Sequence, residues 1–207
     1  MALDLRALVA PAHTALVTQE IQRGVVGDLS ALPELAKAAE PILPNIARLA
    51  RAARAAGVPV VHCTAHRRED GFGANTNARI FRYMAKAPVK LHPGSPAADL
   101  VPELAVEPGD VVLPRLHGLS PFQGTELDFL LRNQGVTTIV GVGVSVNVAI
   151  QALAFDAVNA SYQVVLPRVA VAGFPRDFVE AVFTHTLGAV ATLPTTDEVV
   201  AAWEAGA

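Results

Sequence analysis

The sequence predicts an α/β domain of three layers, an αβα sandwich with a mostly parallel six-stranded sheet between two layers of helices. Three observations predict it. Short runs of β-branched and apolar residues alternate along the chain with longer stretches of helical pattern. These strand-like runs are apolar throughout instead of alternating, which indicates burial on both faces under covering helices. Finally, 52% of the 207 residues are hydrophobic and only 17% are charged, enough apolar surface for one large core. A single domain over residues 1–207 is expected at this length.

The elements follow in order. Ala15-Leu16-Val17-Thr18 opens the series as a strand. A helix is expected from Ile42 to Ala56, with Pro41 and Pro44 near its start and Gly57 at its C-cap position. Val58 to Cys63, Asp110 to Pro114, Thr137 to Val142, Gln163 to Leu166 and a short Ala191-Thr192-Leu193 supply five further strands. Helices fit Glu126 to Asn133, Asn147 to Asn159, Arg176 to Leu187 and Thr196 to Trp203, with Trp203 packing the last helix onto the sheet. Two connections are long, Gln22 to Pro41 and Thr64 to Glu107, and loops of that length usually serve as lids or binding loops. Ligands of open parallel sheets bind beyond the carboxyl ends of the strands. Glu20, Thr64 to Arg68, Arg115 to His117 and Ser145 to Ala149 all follow such ends, so one crevice should gather them.

Composition excludes several classes. Sixteen Lys and Arg against nineteen Asp and Glu leave a net charge of −3. Basic residues cluster only at Arg48/Arg51/Arg54 and Arg67/Arg68, so no nucleic-acid partner is expected. Cys63 is the single cysteine. It excludes a disulfide framework and a multi-cysteine zinc site, and it suits a reducing cytoplasm. Met1 to Val17 has no basic leading region and is interrupted by Pro11 and His13, so no signal peptide is expected. Asn133 to Phe155 carries no charge and is long enough to span a bilayer, but its glycines and polar residues fit a buried strand running into a helix, and no membrane partner is expected.

Several motifs stand in a specific order. Ala15-Leu16-Val17-Thr18-Gln19-Glu20-Ile21-Gln22 is an apolar strand followed by an acid, one apolar residue and Gln. Gly109-Asp110-Val111-Val112-Leu113 leads to Arg115, and Phe122-Gln123-Gly124-Thr125-Glu126-Leu127 follows. Gly143-Val144-Ser145-Val146-Asn147-Val148-Ala149-Ile150 closes the set, with Pro93-Gly94-Ser95 and Asp156-Ala157 in support. From about Ala15 to Leu193 the chain resembles the isochorismatase-like hydrolases, or cysteine hydrolases. The resemblance implies their Rossmann-like sandwich, a small-molecule substrate, a cis peptide at Val144–Ser145 and assembly as a homodimer or homotetramer.

The catalytic triad of that family is Asp, Lys and Cys, and each position departs here: the acid is Glu20, the lysine position is Arg115 and the cysteine position is Ala149. A methyl group cannot attack a carbonyl, so a thioester through residue 149 is excluded. Ala149 is either natural to a subgroup or an engineered cysteine replacement; the departures at the other two positions favour the subgroup. The isochorismatases within the family also lack the cysteine and keep an acid that protonates a vinyl ether. By that likeness Glu20 is a candidate general acid or base. Apolar neighbours such as Val17 and Ile21 favour the acid, and a guanidinium at Arg115 favours the base. Arg115 is equally suited to orienting a substrate carboxylate.

The remaining candidates each have a plain structural alternative. Gln22, His117, Phe122, Val144, Ser145 and Asn147 are substrate-binding candidates by resemblance or by place. Ser145 and Asn147 suit helix capping equally well, while their turn suits oxyanion binding. Phe72, Asn75, Asn77 and Phe81 either line the pocket or serve solvent-facing turns, and His185 is expected at the surface. Cys63 is expected to be a small buried hydrophobe. His62-Cys63-Thr64-Ala65-His66 lacks the preceding Asp-x-His of metal-binding relatives, so neither a metal nor another cofactor is expected. The function expected is hydrolysis of a C–N, C–O or vinyl ether bond in a small molecule by acid/base catalysis without a cysteine nucleophile. The alternative is an inactive family member that binds a metabolite or acts in assembly.

Overall fold

Backbone polar groups and apolar runs together determine the layout. The computed structural model describes residues 4–205; Met1–Leu3, Gly206 and Ala207, the ends of the expected domain, lie outside the described residues. α1 (Leu5–Leu8) is capped by Asp4, whose carboxylate accepts from the N–H groups of Arg6 and Ala7 at 3.0 and 3.4 Å. β1 (Thr14–Gln19) is buried at every position. α2 (Pro33–Ala39) and α3 (Leu43–Ala55) both place proline in the first turn, where its missing N–H leaves no bond unmade. α3 buries Leu43, Ile46, Ala47, Leu49, Ala50 and Ala53, one stripe at helical spacing.

The chain continues through β2 (Val60–Ala65), α4 (Arg79–Lys86), β3 (Val111–Arg115), α5 (Leu127–Asn133) and β4 (Thr138–Val144). A π-helical turn, Val146–Ile150, leads into α6 (Gln151–Asn159). β5 (Gln163–Val165), β6 (Val171–Ala172), α7 (Arg176–Val182), α8 (Gly188–Val190) and α9 (Thr196–Glu204) complete the fold. α9 opens on a capping box between Thr195 and Glu198.

The sheet runs β3-β2-β1-β4-β5 with every ladder parallel, and β6 joins the far end of β4 by pairing Gly143 with Val171 and Val144 with Ala172. Side chains alternate across it. Leu16 faces a core with Ile46, Leu49, Val142 and Trp203, while Ala15 and Val17 face a second core with Leu127, Ile139, Leu153 and Phe183. Trp203 is fully buried, and its indole N–H donates to the Val9 carbonyl at 2.9 Å.

Two expectations change. Ala191-Thr192-Leu193 is not a strand: only Thr192 bridges to Val165, and Pro194, which follows, has no N–H to extend a ladder. The sixth strand is Val171–Ala172, too short for its apolar pattern to stand out. The two long connections also contain helices, α2 and α4. The uncharged stretch Asn133 to Phe155 is β4 running into α6, and no helix among the described residues is long and apolar enough to cross a membrane.

A buried polar chain ties α3 to the sheet. The Arg54 guanidinium grips the Asp110 carboxylate with two bonds, Nε–Oδ1 3.1 Å and Nη2–Oδ2 2.6 Å. Asp110 Oδ2 also meets His62 Nε2 at 3.1 Å, and His62 Nδ1 meets the Thr18 hydroxyl at 2.8 Å. A neutral imidazole protonated on Nε2 satisfies both ends. Burial pushes His62 below its usual value of 6.5 despite Asp110. The unfolded chain therefore takes up this proton first as pH falls, so the stability contributed by neutral His62 is present above the ordinary value and is lost on acidification. Urea midpoints should fall as pH drops from about 7 to about 5. His62→Gln should cost about 1–2 kcal/mol at neutral pH but show a shallower acid slope. His66, also pushed down by burial, adds in the same direction, so some slope should remain.

Candidate active site

The parallel topology brings the carboxyl ends of β1, β3 and β4 to one edge of the sheet, where a cavity of about 180 Å³ opens. Glu20 is the first residue past β1. Its φ of +56° is a left-handed conformation that glutamate rarely adopts, and such strain concentrates at functional sites. The Glu20 N–H still bonds the Cys63 carbonyl at 2.9 Å, so the turn remains fastened to β2 while the side chain leaves the strand. Close by, β4 abuts β1: Gly143, at φ +116°, has no Cβ to collide with the Gln19 carbonyl.

Arg115 ends β3, and its side chain is only 4% exposed, against 17% for Glu20. Arg115 Nη2 is paired with Glu20 Oε1, which also accepts from the Gln19 amide at 3.1 Å. Nη2 lies 3.4 Å from the Leu119 carbonyl as well, while Nε and Nη1 are buried without a hydrogen-bond partner. Ala149 sits in the π-helical turn after β4 and is among the residues that line the cavity.

Of the residues singled out from sequence, Glu20, Arg115, His117, Ser145 and Ala149 line the cavity, as do Asn75 and Phe81. Ser145 follows a cis peptide with Val144. Its hydroxyl makes no capping bond; its carbonyl instead accepts from the N–H groups of Val148 and Ile150, both at 3.0 Å. Gly124 of Phe-Gln-Gly-Thr takes a left-handed conformation at φ +70°, with the His117 ring packed over it where a Cβ would stand 2.9 Å away. Asn75 accepts from the Gly118 N–H at 2.7 Å and so fastens the long second connection to the loop after β3.

Gln22, Phe122, Val144 and Asn147 do not line the cavity. The Gln22 amide is fully engaged with backbone: it donates to the carbonyls of Ala65 and Ala98, both at 3.0 Å, and accepts from the Ala65 N–H at 2.8 Å. Phe122 packs on Tyr162 with ring centroids 5.8 Å apart. Val144 is buried in the core, and Asn147 donates to the Phe174 carbonyl at 3.3 Å. Phe72, at 78% exposure, and His185 face solvent. Cys63 is buried outside the cavity, and burial pushes its thiol up to about 12, so it offers no thiolate. His62 and His66 diverge, one toward α3 and the other into the cavity, and among the described residues no three His, Cys, Asp or Glu side chains gather as a metal cluster.

Sequence reasoning missed the apolar wall. Val25, Leu32 and Leu35 come from the first long connection, and Ile80, Met84, Val89 and Leu91 from α4 and its surroundings. The signal was present in Arg79-Ile80-Phe81-Arg82-Tyr83-Met84, where Ile80 and Met84 stand one helical turn apart between basic residues. Lys90 also lines the cavity, but its ammonium donates to the carbonyls of Met84, Ala85 and Ala87 at 3.2, 2.7 and 2.5 Å, closing the end of α4.

Comparison with known proteins agrees with this fold. The isochorismatase domain matches residues 14–198. An uncharacterized isochorismatase family protein of Bacillus subtilis is 31% identical over 101 residues, 49% of this chain and 53% of its own length. The ureidoacrylate amidohydrolase RutB of Pseudomonas syringae pv. syringae is 29% identical over 167 residues, 73% of this chain and 67% of that protein. The chain thus spans about half the length of the Bacillus relative, and only 25% of the RutB of Methylorubrum extorquens, with which it shares 40% identity over 63 residues. Among solved structures, a cysteine hydrolase from Pseudomonas syringae pv. phaseolicola superposes with a TM-score of 0.84 at 26% identity over the full length of both chains. N-carbamoylsarcosine amidase from Thermoplasma acidophilum does so with 0.71 at 25% identity, over 89% of this chain and 97% of the other. With the domain match spanning most of its length, and with its fold shared by these structures, the chain belongs to the isochorismatase family.

Proposed function

We propose that this protein hydrolyses a small molecule, foremost at the C–N bond of an amide or ureide, without a covalent enzyme intermediate. The paired Glu20 and Arg115 beside the methyl of Ala149 are the observation that carries the reading. As the carboxylate of an ion pair, Glu20 is suited to accept a proton, so it serves as general base. It takes a proton from water as the water oxygen bonds to the carbonyl carbon. The same proton then passes to the leaving nitrogen as the C–N bond breaks. Arg115 and the turn from Ser145 to Ala149 stabilise the oxyanion between these two steps. Ureidoacrylate amidohydrolase and N-carbamoylsarcosine amidase, the names of two relatives, support a ureide or amide ahead of an ester or vinyl ether. The buried single cysteine supports a reducing cytoplasm, and the family likeness supports a homodimer or homotetramer.

A second reading draws on the same pair. Glu20 is already held by Arg115 and Gln19, and a carboxylate so engaged also suits a protein that only binds a metabolite. The two part on turnover. Wild type and Glu20→Gln should be compared on a panel of amides, ureides, esters and isochorismate. Under the hydrolase reading the variant loses about 100-fold or more in kcat; equal activity sinks that reading, and an inactive but well-folded wild type favours the binding protein.

Ala149→Cys alone should form no covalent acyl-enzyme by intact mass, because Glu20, the one carboxylate that lines the cavity among the described residues, is already committed to Arg115. A stable adduct would show instead that Ala149 interrupts a working cysteine enzyme. Arg115→Met should destabilise the fold by about 3 kcal/mol in urea titration, since it strands a largely buried carboxylate. The double variant with Glu20→Gln should lose less than the sum of the single changes.

A further inference from the structure

Among the described residues, α4 is an amphipathic helix that packs its apolar side into neither hydrophobic core. None of its residues is fully buried and none joins either hydrophobic core. Ile80, Phe81 and Met84 instead line the cavity together with Val25 and Leu35. Glu20 and Arg115 line it from the strand ends, and His66, Asn75, His117 and Ser145 supply further polar groups. Lys90 fixes the end of the helix through three carbonyls, so this apolar wall is held in place beside the cavity. A helix face of this kind is ordinarily covered by apolar atoms.

We propose that the occupant is the hydrocarbon body of the ligand itself. The site takes a small amphiphile whose polar, reactive end meets Glu20 and Arg115 while its aliphatic or ring portion packs against Ile80, Phe81 and Met84. These three residues then set specificity. The placement of the reactive end rests on the hydrolase reading, whereas the apolar subsite does not. Size is bounded as well. A cavity of roughly 150 Å³ takes benzene, so the 180 Å³ available here suits a ligand of roughly seven to nine non-hydrogen atoms.

The test is isothermal titration of acetamide, butanamide, hexanamide and octanamide into wild type and into Glu20→Gln. Affinity should rise about three- to fourfold per methylene as far as hexanamide and then level off. Met84→Asp should flatten the series while leaving the melting temperature of the free protein unchanged, because Met84 is outside both cores. Should that variant fold poorly, Met84→Gln puts the same question with a neutral side chain. An affinity independent of chain length overturns the inference. So does an affinity that climbs undiminished past octanamide, or a series equally steep in the Met84 variants. Graded affinity without turnover of any amide preserves the apolar subsite and overturns the hydrolase reading. Turnover of acetamide and hexanamide at equal KM does the reverse.

Discussion

The ion pair between Glu20 and Arg115 ties the end of β1 to the end of β3 at the candidate site. Two charges withdrawn from water are tolerated only when each supplies the other's partner, and here the side chains are 17% and 4% exposed. Their residues stand at the ends of β1 and β3, with β2 between them in the sheet. To meet, Glu20 takes a left-handed backbone conformation, and the loop after β3 brings the Leu119 carbonyl within reach of the guanidinium. The loops that frame the cavity follow from this. Gln22 clips the first long connection to the end of β2 and to Ala98, and Asn75 clips the second to Gly118.

The sheet supports that pair because all of its ladders are parallel. Parallel strands need crossovers through helices, and every crossover returns the chain so that strand carboxyl ends share an edge. The polar demands of the interior are met in two places. One is the pair at the strand ends; the other is the Arg54–Asp110–His62–Thr18 chain between the sheet and α3. Because Asp110 directly precedes β3 and Arg115 ends it, the two networks hold the two ends of one edge strand. That strand needs such fastening: Val111, Val112 and Pro114 are exposed, so little apolar packing holds it.

Much of the fold was legible because five of the six strands carry continuous apolar runs; in β1 and β4 these reflect burial on both faces, whereas edge strand β3 carries its run with Val111, Val112 and Pro114 exposed. β6 was not, since two residues make no pattern, and Ala191-Thr192-Leu193 imitated a strand that Pro194 forbids. At the site, Glu20, Arg115 and Ala149 were legible from motif order and from their place after strand ends. Gln22 and Asn147 misled because an amide serves equally well for a ligand or for a backbone carbonyl, and only coordinates decide which is in reach. The apolar wall was missed because α4 lies inside a connection rich in glycine, asparagine and proline, whose composition suggests an unstructured loop.

Under the proposed function, the residues at the three positions where the sequence resemblance expects a triad, Glu20, Arg115 and Ala149, depend on one another. With a methyl at position 149 the nucleophile has to be a water molecule, and a water in a protein cavity needs two to four polar partners. The walls formed by the two long connections are largely aliphatic, so such partners concentrate on the floor. Glu20 and Arg115 provide them there, as acceptor and donor in contact with each other, and Ser145 also lines the cavity. A lysine in place of Arg115 would offer a point charge with no planar fork to divide between a carboxylate and a developing oxyanion. The apolar surroundings then assist the polar centre, because charges on the floor act through a medium of low dielectric and attract more strongly than they would in open water. A hydrocarbon body lodged against α4 would displace the remaining solvent, leaving the attacking water confined to the one part of the cavity where it can be activated.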